Sequence, residues 1–289
     1  MRLGDLEFLV LTDGTLRLDG GAMFGVVPKP MWEKKTHADE RNRILLAMNC
    51  LLIRAAGKTI LVETGAGDKW DEKHRSIYAF EGSPRLPEQL AQHGVKPQDV
   101  DIVINTHLHF DHCGWNTRIM DGKVRPTFPN ATYIVQKKDL EHAKQPTERD
   151  RASFLPDNFV PVEDANQWQL VEGEHQIVPG VTVFPTPGHT DAMQCVKLEG
   201  GGKTAIFLAD LVPTTAHLPL AWIMGFDLYP LTTLENKKKV LPQIAKNGWL
   251  ALFAHDPVIR AAHLHERNGQ FEAEPVPSIS SAEFKNSSR

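Results

Sequence analysis

The strongest constraint on this chain is a short apolar run that ends in a crowd of metal-ligating side chains. Val100 to Asn105 reads as a buried strand and empties directly into His107-Leu108-His109-Phe110-Asp111-His112. In extended chain, successive side chains point to opposite sides. His107, His109 and Asp111 therefore lean one way, Leu108 and Phe110 lean toward the core, and His112 follows at the turn. Imidazoles and a carboxylate packed this closely repel one another when protonated and lose hydration when buried, and a bound cation offsets both costs. A single histidine beside a strand is usually a surface residue. Three with an aspartate at a strand end point to a metal site. Neutral imidazole and carboxylate suit Zn²⁺ first, with Fe, Mn or Co as competitors. Cys113 adjoins the run but is outside the expected ligand set.

Six residues cannot enclose two metal ions, and three further positions have the same character. Thr186-Pro187-Gly188-His189-Thr190 places a histidine in a rigid turn after an apolar strand. Phe207-Leu208-Ala209-Asp210 ends an apolar strand in a carboxylate, and Leu252-Phe253-Ala254-His255-Asp256 ends another in a histidine. Each alone could be a turn residue or a solvated strand end. Together with the histidine run they suggest ligands gathered on one rim of a layered sheet.

The remaining pattern supports that architecture. Residues 6–12 read as a strand ending at Asp13-Gly14, and residues 47–53 and 58–63 as a hairpin across Ala55-Ala56-Gly57. Residues 84–93 read as a short helix with Ser83 as cap, Pro84 in its first position and Gly94 ending it. A strand at 131–135, a helix at 136–144, strands near 176–185, 193–198 and 204–209, a helix at 232–247 and a buried strand from Trp249 to Ala254 follow. Strands clustered with helices between them predict a layered α/β fold. One domain over residues 1–267 is expected, with 268–289 a polar tail free to move.

Composition narrows the function classes. The formal charge of −4 and the lack of a basic segment argue against a nucleic-acid partner. Cys50, Cys113 and Cys195 are far apart and odd in number, which fits a reducing compartment. Met1 to Glu7 does not read as a signal peptide, and no stretch is apolar enough to span a membrane. The expectation is a cytoplasmic protein with neither nucleic-acid nor membrane partners.

The ordered set of an H-x-H-x-D-H run, the Pro-Gly-His-Thr turn, the strand-end Asp210 and the final His255 resembles the metallo-β-lactamase superfamily over most of the chain. The resemblance implies an αββα sandwich with two divalent metal ions per chain. It implies that His107, His109 and His189 hold one metal, that Asp111, His112 and His255 hold the other, and that Asp210 bridges both. Glu63 stands where the superfamily often has the aspartate of an Asp-Thr-Gly turn, implying that it orients a ligand histidine. Within the superfamily, Leu18 to Lys29 and Ala209 to Thr214 are most similar to quorum-quenching N-acyl-homoserine lactonases and the related organophosphate (methyl parathion) hydrolases.

That likeness implies a hydrolase opening lactones or esters, with a metal-activated water as nucleophile, Asp210 and Asp111 as the catalytic carboxylates, and Asp111 passing a proton to the leaving alkoxide. Relatives also imply a homodimer. Many such lactonases carry a tyrosine three residues past the bridging aspartate; here Pro213 stands there, so His217, Tyr229 or another polar group is expected to replace it. The apolar segments around Met23 and Phe24 and around Trp222 and Met224, with His217 and with Trp115 beyond the histidine run, are the expected pocket walls. The alternatives are a promiscuous aryl esterase or phosphotriesterase on the same scaffold and a mononuclear iron persulfide dioxygenase. β-Lactam and glutathione-thioester hydrolysis fit less well: the former group generally lacks a counterpart of Asp210, and the tail shows no cationic glutathione site.

Overall fold

A computed structural model describes residues 1–82 and 85–276. The first of its two large sheets holds β1 (Arg2–Leu3), β2 (Leu6–Asp19), β3 (Arg43–Ala55), β4 (Lys58–Val62) and β5 (Ile102–Ile104). Past a small separate hairpin, β6 (Thr117–Met120) and β7 (Lys123–Pro126), it is completed by β8 (Thr132–Gln136) and β9 (Trp168–Val171). The second sheet runs in chain order through β10 (His175–Val178), β11 (Val181–Pro185), β12 (Gln194–Gly200), β13 (Lys203–Phe207), β14 (Leu250–Leu252), β15 (Ala261–Arg267) and β16 (Gln270–Pro275).

The near-continuous apolar runs follow from burial on both faces. In β3 and β4, Leu51, Ile53, Ile60 and Val62 meet Val183, Val196, Leu198, Phe207 and Leu252 of the other sheet. The alternate residues Cys50, Leu52 and Leu61 turn outward onto Leu86 and Leu90 of the helix Leu86–Gln92. The helix Pro230–Asn247 adds Leu241 and Ile244 to the core shared with the second sheet. The layers are helix, sheet, sheet, helix, as expected for the αββα sandwich.

Several boundaries differ from the sequence reading. Asp13-Gly14 is a bulge within β2, not its end: the register to β3 shifts between Thr12 and Thr15, and Gly14 carries the required left-handed φ of 87°. The polar segment expected from 268 onward includes β16, which pairs with β15 through residue 275, so the ordered sheet runs past 267. Ser83 and Pro84, the expected start of a helix, lie outside the described residues. The helix begins at Leu86 with Arg85 at its cap position. Among the described residues no helix is long and apolar enough to cross a membrane.

The topology gathers strand ends on one rim. β4 and β5 are parallel, as are β13 and β14, and β11 runs with β13 because β12 opposes both. Val62 registers with Ile104 and Phe207 with Leu252, so these strands stop together. The rim is tied across the sheets: Asn49 of β3 donates through Nδ2 to the carbonyls of Phe253 and Asp256, and Ala47 N donates to His255 O.

Candidate metal centre

The segments beyond these strand ends carry the seven expected ligands. β5 leads to His107 and His109, β11 to His189, β13 to Asp210 and β14 to His255. The extended alternation expected for the histidine run stops at His109. Phe110–Cys113 is one helical turn, and it is this turn that swings Asp111 and His112 into the cluster. Phe110 lies over the cavity against Tyr78, with ring centroids 4.8 Å apart, and not in the inter-sheet core.

The ligand atoms of His107, His109 and His189 lie within 4.8 Å of one another, as do those of Asp111, His112 and His255. His107, His112 and Asp210 form a third such group that overlaps both. The Asp210 carboxylate stands between the two sides: His189 Nε2 is 3.2 Å from one oxygen and His255 Nε2 is 3.1 Å from the other. His109 Nδ1 and His189 Nε2 approach to 3.0 Å, and His112 Nε2 and His255 Nε2 to 3.1 Å.

A cation fits this arrangement on two grounds. His107 Nε2 is buried without a hydrogen-bond partner, and Asp210 Oδ1 faces only the imidazoles of His255 and His112, a costly state that a metal would relieve. The outward nitrogens of His107, His189, His255 and His112, in contrast, face groups that orient them, as ligating histidines require. His107 Nδ1 meets the Thr106 hydroxyl at 3.0 Å, His189 Nδ1 meets Asp227 at 3.0 Å, His255 Nδ1 meets Ala47 O at 2.8 Å and His112 Nδ1 lies 3.5 Å from Glu63. Glu63 thus sits behind His112, where its backbone takes a left-handed φ of 63°, and its Oε1 also accepts from Thr106 N. Ala209, next to Asp210, is left-handed too, at 47°. Such strain on non-glycine residues is held only where the surroundings over-determine it.

The charges divide accordingly. Burial, and then the neighbouring imidazoles, hold His107 and His109 well below their ordinary pKa, so both are neutral. Burial pushes His112 down as well, but Asp111, Asp210 and Glu63 prevail and raise it. Burial pushes Asp210 up, and His255, His112 and His189 more than reverse this, keeping it ionised.

Positioning groups absent from the sequence reading hold the cluster. Asp139, fully buried, accepts from Leu108 N and from the Thr190 hydroxyl, so one carboxylate fixes both the histidine run and the His189 turn. Asp227 accepts from Thr233 as well as meeting His189. Asp13 accepts from Ala66 N, Gly67 N, Leu86 N, Trp115 Nε1 and Arg85, locking the glycine-rich turn beneath the site. Their local sequence resembles ordinary turns and helix surfaces, and only long-range packing reveals them.

Above the cluster opens a cavity of about 350 Å³ whose lining includes His109, Asp111, His189, Asp210 and His255. Met23 and Met224 line it. Phe24 does not: it is fully buried behind the wall, stacked between His217 and Trp32. Trp222 packs edge-on against Phe24, away from the cavity. His217 is locked by Thr214 on one nitrogen and by Met23 O on the other. Trp115 is turned by the short helix Gly114–Asn116 into the core beneath the first sheet, because proximity in sequence to His112 is not proximity in space. Tyr229 is about half exposed and does not line the cavity. The tyrosine that does line it is Tyr78. Burial and the nearby Asp111 raise its phenol above the ordinary range, so it is a proton-bearing donor.

Residues 44–255 match the model of the metallo-beta-lactamase superfamily. The chain belongs to this superfamily. Among curated relatives, an N-acyl homoserine lactonase of Bacillus cereus is 27% identical, over 74% of this chain and 83% of its own length. A probable metal-dependent hydrolase from Staphylococcus aureus superposes with a TM-score of 0.89 at 29% identity, covering 97% of this chain and all of that one. AidC, a dizinc quorum-quenching lactonase solved with its product N-hexanoyl-L-homoserine, shares the fold with a TM-score of 0.80 at 20% identity over 97% of each chain.

Proposed function

We propose that this protein is a binuclear metal-dependent hydrolase that opens lactones of the acyl-homoserine type. The observation that carries this reading is the placement of Asp210 between two ligand groups, in a third that overlaps both, at the floor of a cavity. His107, His109 and His189 would hold one ion, Asp111, His112 and His255 the other, and Asp210 both. The imidazole and carboxylate donors favour zinc. Two divalent cations bound there supply Lewis-acid polarisation of a carbonyl and bring the pKa of a water toward neutrality.

The protein's own groups do the rest. Asp111 lines the cavity and is the carboxylate placed to carry a proton to the departing alkoxide. In a lactone that alkoxide stays tethered, so the product is a hydroxy acid. The Tyr78 hydroxyl offers a hydrogen bond to a substrate oxygen, the contribution that Pro213 cannot make. Leu18, Met23, Leu46, Met224 and Phe226 form an apolar wall suited to an acyl chain. The lactonase relatives named above support lactones over other esters.

Metal analysis with a hydrolysis panel tests this. Acyl-homoserine lactones of several lengths, aryl esters, a phosphotriester, a β-lactam and a glutathione thioester are compared on metal-replete protein. The expected outcome is two zinc ions per chain with lactones turned over fastest. One iron per chain with oxygen uptake, or a preference for the phosphotriester, would replace the reading.

A further inference from the structure

The cavity is asymmetric. At one edge of its apolar wall, beside Met224 and Phe226, lies Arg149, the only lysine or arginine among the described residues that line it. Its Nη2 donates to Gly225 O and, at 3.4 Å, to Asp227 O. Its Nε and Nη1 donors have no protein acceptor, and it has no carboxylate partner, among the described residues. The adjacent acid is already engaged: the Asp150 oxygens are taken by His142 and by the amide and hydroxyl of Thr147. Arg149 is therefore held at the exposed cavity rim by backbone carbonyls, with part of its donor fork unused.

We propose that Arg149 determines specificity in this site by receiving an oxygen acceptor, a carboxylate or an amide carbonyl, carried by the substrate beside the scissile bond. The inference rests on the hydrolase reading above and adds to it the class of substituent selected. The scissile carbonyl belongs over Asp210 and the histidines, so a second acceptor in the same ligand needs a separate donor. A planar guanidinium matches carboxylate geometry and bonds a neutral carbonyl more weakly. Its two carbonyl contacts restrict it before substrate arrives, which lowers the entropy cost of binding.

Three γ-lactones of matched length test this, bearing an alkyl chain, an acylamide chain or a chain with a carboxylate, each assayed with wild type, Arg149→Met and Arg149→Lys. The readout is the ratio of kcat/KM for each acceptor-bearing lactone to that for the alkyl lactone. In Arg149→Met the carboxylate ratio should fall about 30-fold and the amide ratio about fivefold, the range for losing charge-assisted hydrogen bonds. Arg149→Lys should restore much of the carboxylate ratio. A purely structural role would lower all three rates together, and ratios within about twofold of wild type would overturn the inference while leaving the hydrolase reading intact. If metal-replete wild type opens none of the three, both fall.

Discussion

Asp210 bears the largest burden of any single side chain. Its two oxygens face opposite halves of the cluster, and it counters the charge of three histidines. Asp210→Asn should lose both metals on dialysis and lower kcat at least about a hundredfold; full activity with two metals per chain would refute the bridging role. His217 invites a different prediction. Burial lowers it to about 3, with Lys237 adding to the effect and the Met23 carbonyl opposing it. A base whose folded pKa lies below its unfolded value of about 6.5 binds protons mainly in the unfolded chain, so its contribution to stability falls as pH drops from 6.5 toward 3. Between pH 6.5 and 5 that loss is about 2 kcal/mol. His217→Gln should flatten this part of the urea-midpoint profile relative to wild type, and parallel profiles would exclude the effect. The seven cluster residues were legible in the sequence because they fall in the short segments that follow four apolar strands. Asp139, Asp227, Tyr78 and Arg149 were not, because their neighbours in sequence say nothing about the loops they meet.

At the scale of elements, the cavity wall depends on a helix that supplies no ligand to the metal cluster. Lys237, fully buried on the helix Pro230–Asn247, donates to the carbonyls of His217, Pro219 and Trp222 at 2.7, 2.8 and 2.9 Å. Burial pushes its ammonium down to about 7, against the pull of Asp227. All three of its protons thus stitch the loop 217–222 to the helix, just before Met224 enters the cavity. On sequence alone Lys237 is one of three consecutive lysines on an amphipathic helix, with nothing to mark it as buried. The strands, in contrast, were largely readable, since burial on both faces leaves long apolar runs. The bulge at Gly14 and the edge strand β16 were missed, the first for its turn-like composition and the second for its polarity. Lys237→Met leaves three carbonyls without a donor and should destabilise the fold by about 3 kcal/mol in urea titration. Lys238→Met, which removes only an exposed pair with Glu235, should stay within about 0.5 kcal/mol.

For the whole molecule, the cluster is also a seam. The strand ends that bear ligands come from both sheets, and Asn49 and Ala47 of the first bond to the segment carrying His255 in the second. A cation shared by His107 and His189, or by His112 and His255, would join the sheets at this rim. Chelation should therefore cost stability as well as activity. Two sites each held at about a hundred times their Kd add about 5 kcal/mol to the folded state, worth about 10 °C in Tm for a chain of this size. Calorimetry of metal-replete and chelator-stripped protein measures this, with zinc added back as the control. Hydrogen exchange should locate the change. Segments 105–112, 186–190, 208–211 and 253–256 should exchange faster without metal, while residues 264–272, at the turn end of the β15–β16 hairpin away from the rim, should keep the exchange rates they have with metal. An unchanged Tm with activity lost would mean that the sheets are fastened by packing alone and that the metals serve only the chemistry.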